Sequence, residues 1–85
     1  MTVRQIVLRH GIQFNANIGS FSAIYAEEDS ASGSPEVLVN IAADGEREYV
    51  LHPGDTFTVR DQTWKLASVN NPGLHDWTVV LERVD

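Results

Sequence analysis

The sequence predicts an all-β fold, a small single-domain antiparallel barrel or sandwich of about six to seven short strands joined by hairpins. Three observations lead there. Apolar residues alternate with polar ones along most of the chain, and no stretch carries the 3.6-residue period of an amphipathic helix. Turn-forming clusters punctuate these runs at Asp44-Gly45, at His52-Pro53-Gly54-Asp55 and at Pro72-Gly73. The length, 85 residues, leaves room for one domain spanning 1–85 and one modest core.

Residues 3–9 (VRQIVLR) form the first expected strand, rich in β-branched side chains and ended by His10-Gly11. Residues 20–26 (SFSAIYA) follow, with Phe21, Ala23 and Tyr25 on one face by strict alternation. The tract 27–36 (EEDSASGSPE) is acidic and rich in serine and glycine, and reads as a mobile loop. From Val37 to Leu51 the chain reads as a hairpin about Asp44-Gly45, the favoured pair for a two-residue type I′ turn. Pairing Ala43 with Glu46 sets Val39 opposite Val50, Leu38 opposite Leu51 and Asn40 opposite Tyr49. That register puts apolar residues on both faces, which calls for barrel closure, a second sheet or a second chain over the outer one.

Residues 56–59 (TFTV) and 63–69 (TWKLASV) are the next strands, and 76–84 (DWTVVLERV) is the last, reached through a type II turn at Pro72-Gly73. Pairing Val69 with Asp76 sets Trp64 opposite Leu81, Leu66 opposite Val79 and Ser68 opposite Trp77. Trp64, Leu66, Trp77, Val79 and Leu81 then share one face, the expected core, with Trp77 the more exposed tryptophan beside its loop.

Composition excludes several functions. Twelve acidic against six basic residues give a net charge of −6, so no basic footprint exists for nucleic acid, and anionic membranes are repelled. No run approaches the roughly 20 apolar residues of a membrane helix. The opening MTVRQIVLRHG lacks the form of a signal peptide, so a cytoplasmic location is expected. Without cysteine there is no disulfide and no thiolate zinc site. The histidines at 10, 52 and 75 each sit at an expected turn. The serines lie in no G-x-S-x-G context, the carboxylates Glu27, Glu28 and Asp29 stand on the expected loop, and the glycines are scattered. No catalytic residue, metal ligand or cofactor is therefore expected.

Residues 49–57 (YVLHPGDTF) resemble the opening of a LysM domain, a module that grips peptidoglycan and chitin. That family continues into a helix, whereas TFTVRDQTW alternates as a strand, and Pro-Gly-Asp-Thr is accounted for as a turn. The likeness is read as coincidental. Cupins share the Pro-Gly-Asp but carry an H-x-H pair that this chain lacks. Through IVLRHGI, DGEREYVLHPGDTF and DQTWKLASVNNPG…WTVVLERV the whole chain resembles a group of short all-β actinobacterial proteins of unknown function. Five arginines to one lysine fit a GC-rich genome.

Three functional expectations follow. The first is a non-enzymatic interaction or structural module, self-associating as a homodimer or joining another protein through Val39 and Leu51 on the hairpin. The second is a barrel that binds a glycan or a small hydrophobic ligand beside Tyr49, Trp77 and His75. The third, resting on charge alone, is an acidic inhibitor or immunity-type protein for a basic partner.

Overall fold

Eight strands alternate with tight turns in the computed structural model, which describes residues 4–28, 31 and 33–85. They are β1 (Gln5–Arg9), β2 (Phe14–Ala16), β3 (Gly19–Glu28), β4 (Pro35–Ala42), β5 (Glu46–Leu51), β6 (Thr56–Val59), β7 (Gln62–Asn70) and β8 (Thr78–Arg83). Two antiparallel four-stranded sheets result: sheet A in the order β1-β8-β7-β6 and sheet B in the order β2-β3-β4-β5. The expected all-β architecture is therefore a two-sheet sandwich, with eight strands where six to seven were anticipated. The additional strand is β2, whose three residues are too few to show alternation. No helix among the described residues is long and apolar enough to cross a membrane.

The two inner faces meet in one apolar core. Sheet A contributes Ile6, Leu8, Val59, Trp64, Leu66 and Leu81, and sheet B contributes Phe21, Val37, Val39, Ile41 and Leu51, all buried. Phe21 and Trp64 join the layers, their ring centroids 5.7 Å apart at 59°. Among the described residues no polar side chain is buried, so the core rests on apolar burial and packing alone. The face expected for Trp64, Leu66, Trp77, Val79 and Leu81 is the core face. Their register differs, because Leu66 pairs with Leu81 and a bulge between Leu66 and Ser68 shifts the remainder to Val69 opposite Val79. Up to Leu66 the shift from the expected pairing is two residues, which leaves every side chain on its face.

Two local features overturn expectations in sheet B. A bulge between Ala23 and Tyr25 inserts Ile24 and reverses the alternation, so Phe21, Ala23 and Ala26 point inward. Tyr25 therefore lies on the outer face, not beside Phe21. In the β4–β5 hairpin Ala42, not Ala43, pairs with Glu46, leaving a three-residue loop with Asp44 and Gly45 at φ of 56° and 104°. Val39 then faces Tyr49, Leu38 faces Val50, and Val37 faces Leu51. Of the tract 27–36 expected as a loop, Glu27 pairs with Glu36 and Glu28 with Pro35 as strand ends, while residues 29, 30 and 32 lie outside the described residues.

The two proline turns follow the sequence. Leu74 donates to Asn71 O at 3.1 Å around Pro72-Gly73, with Gly73 at φ 81°. Asp55 donates to His52 O at 2.9 Å around Pro53-Gly54, and the Asp55 carboxylate accepts the His52 N–H at 2.9 Å. No helix follows; Thr56–Val59 is strand β6, paired with β7.

Candidate functional site

Of the five residues singled out in the sequence, Val39, Leu51 and Trp77 are buried, while Tyr49 and His75 reach the surface. Val39 is 0% exposed and Leu51 4%, so both side chains lie in the sandwich's own core and not on the outer face of the hairpin. Their placement differs from the expected one because a one-residue change of register alters which side chains of the two strands share a face. Trp77 is only 5% exposed, and its ring centroid lies 5.8 Å from that of His10 in a T-shaped arrangement. No exposed tryptophan platform therefore exists for a glycan. His75 is exposed and lies with its ring centroid 5.8 Å from that of His10. His52 sits elsewhere, 3.9 Å from Glu36 and 3.7 Å from Asp55. Tyr49 is half-buried and lines a cleft between the edge strands β5 and β6.

The corrected register composes the outer face of sheet B row by row. Tyr25, Leu38 and Val50 stand side by side across β3, β4 and β5, with Val50 55% exposed. On one side of this apolar row Glu27 lies opposite Glu36. On the other side come Ser22, Asn40 and Glu48, then Ser20, Ala42 and Glu46. No lysine or arginine of β2 to β5 shares this face; Arg47, the one such residue in these strands, alternates to the inner side. Sheet A differs, for its outer face mixes Arg9 and Lys65 with Glu82.

Tyr25 ties the apolar row to the carboxylates. Its hydroxyl donates to Glu36 Oε2 at 2.8 Å. That hydrogen bond, then partial desolvation and the charges of Glu36 and Glu27, hold the phenol above its ordinary pKa. Stability linked to this proton is therefore fully present below about pH 10 and lost as pH rises through the raised value. In a Tyr49→Phe background, Glu36→Gln is expected to lower the Tyr25 midpoint, followed by phenolate absorbance. An unchanged midpoint would show that the carboxylate does not hold the phenol.

The β5–β6 cleft encloses about 320 Å³ and is lined in part by Asp44, Arg47, Tyr49, Thr58 and Arg60. Arg60 occupies the two-residue β6–β7 turn at φ 54°, a left-handed conformation unfavourable for a side chain of its size. Its side chain links three turns. Nε donates to Ile18 O at 2.8 Å and Nη1 lies 3.1 Å from Asp44 Oδ2. Tyr49 packs against Phe57 with ring centroids 5.3 Å apart, and its hydroxyl points to Thr58 O at 3.4 Å. Among the described residues, no group of three or more histidine, aspartate or glutamate side chains is placed to hold a metal.

A family model described as a family of unknown function, DUF6406, matches residues 3–85. The chain belongs to that family. No curated protein and no solved structure matches it significantly. In this DUF6406 chain two surfaces were foreseen only in part, the outer face of the 37–51 hairpin without its rows of carboxylates and Tyr49 without the arginines that share its cleft. Their one sequence signal was the alternation Glu46-Arg47-Glu48-Tyr49-Val50, which separates acidic from basic side chains once its register is known.

Proposed function

We propose that the domain is a non-enzymatic protein-interaction module whose contact surface is the outer face of sheet B and whose partner presents basic side chains around an apolar patch. The supporting observation is the row Tyr25–Leu38–Val50 flanked by Glu27 and Glu36 on one side and by Glu46 and Glu48 on the other. The apolar row supplies surface to remove from water, and the carboxylates steer and select a cationic partner. A two-fold contact of this face with itself would bring the glutamates of both copies together, so a homodimer through it is disfavoured.

Light scattering is expected to return the monomer mass of 9.4 kDa across concentrations. A photo-crosslinking residue at position 50 should capture one basic protein from the native cell extract. Capture should weaken with salt and vanish in the double variant Glu46→Lys/Glu48→Lys. The same crosslinker at position 7, on the outer face of sheet A, should capture nothing comparable. Equal adducts from positions 50 and 7, or capture indifferent to both salt and charge reversal, would overturn the reading.

A further inference from the structure

We propose that the cleft between β5 and β6 is a binding site for a small oxyanion, a carboxylate or phosphate group presented to Arg47 and Arg60. This site is separate from the outer face of sheet B and stands or falls independently of it. The cleft is concave, about 320 Å³, and takes two of the six basic residues of a chain whose net charge is −6. Strand alternation concentrates the positive charge. Arg47 turns to the inner side of β5, while Glu46 and Glu48 turn to the outer face of sheet B. One carboxylate, Asp44, lines the cleft against these two guanidinium groups, and its side chain is 72% exposed at the rim.

The two arginines are prepared differently. Arg60 is fixed by its bonds to Ile18 and Asp44, so little side-chain entropy remains to be lost when an anion arrives. Arg47 is exposed, and its side chain makes no hydrogen bond or ion pair among the described residues. Its whole planar fork can therefore take an oxyanion in bidentate fashion. Tyr49 adds a hydroxyl whose present bond, 3.4 Å to Thr58 O, is long enough to be exchanged for a ligand oxygen.

The experiment titrates ¹⁵N-labelled full chain with inorganic phosphate and, separately, with succinate at constant ionic strength, against chloride. Saturable amide shifts are expected at Asp44, Arg47, Tyr49, Thr58 and Arg60. Arg47→Gln should weaken the affinity about tenfold or more, the factor attached to a lost charge-assisted hydrogen bond. Lys65→Gln, on sheet A, should leave it unchanged. Saturation by phosphate alone assigns a phosphoryl ligand, and saturation by succinate alone a carboxylate. Non-saturating shifts, shifts scattered over both sheets, or an affinity indifferent to Arg47→Gln would overturn the proposal.

Discussion

Trp64→Ala is expected to bring the domain to the edge of unfolding. Trp64 is the largest of the fully buried side chains, 1% exposed, and its ring packs against Phe21 across the two sheets. Truncating a buried tryptophan costs about 3–5 kcal/mol, because the transfer energy is lost and the cavity closes only in part. Against that stands a total stability of about 5–15 kcal/mol for ordinary domains. At 85 residues without a disulfide, this chain belongs near the lower end. Denaturant titration should place the midpoint far below that of the parent, with near-ultraviolet dichroism lost. Trp64→Phe keeps a ring beside Phe21 but gives up the indole N–H bond to Gln62 Oε1 at 3.1 Å, so its loss should be smaller. Exposed Val50→Ala should stay within about 0.5 kcal/mol of the parent. A Trp64→Ala midpoint as mild as that of Val50→Ala would mean the sandwich is not held at this ring pair.

The core was legible where errors came in pairs. The β7–β8 register was misjudged by two residues up to Leu66, yet Trp64, Leu66, Val79 and Leu81 still fell on the buried face, since side-chain direction repeats every second residue. The proline turns were legible because Pro53 and Pro72 preset φ and each following glycine accepts a positive one. In the β4–β5 hairpin the error was a single residue, and it put Leu38 beside Leu51 and assigned Val39 and Leu51 to the surface, whereas both are buried in the core. The bulge at Ile24 has no sequence marker of the glycine kind, and it alone turns Tyr25 outward. The acidic and apolar outer face of sheet B depends on both features, so it could not be composed from alternation. The cleft was hidden for another reason. Arg60 meets Ile18 and Asp44 only because three turns distant in sequence converge at one end of the sandwich.

That convergence makes Gly19→Ala the second costly substitution. Gly19 opens β3, opposite Ala16, at φ 152°. A Cβ placed there would lie 2.6 Å from Ala42 O and 2.7 Å from Ala43 Cβ. Neither neighbour is a flexible side-chain end. Ala42 is paired with both Ser20 and Glu46, so moving its carbonyl disturbs the β3–β4 and β4–β5 ladders together. Ala43 leads directly into Asp44, the ion-pair partner of Arg60. Backbone displacement combined with an unfavourable φ should cost about 2–4 kcal/mol. Gly45→Ala provides the contrast, for its φ is 104° but nothing lies within 4 Å of the added carbon. Its cost should be only the conformational one, about 1 kcal/mol. Denaturant midpoints compare the two, and amide exchange locates the damage, expected first in β4 and the 43–45 loop. Equal losses for the two variants would show that close backbone approach at Gly19 contributes nothing. A larger loss at Gly19, with faster exchange near Asp44, would place the anchoring of Arg60 and the shape of the cleft under the control of one glycine.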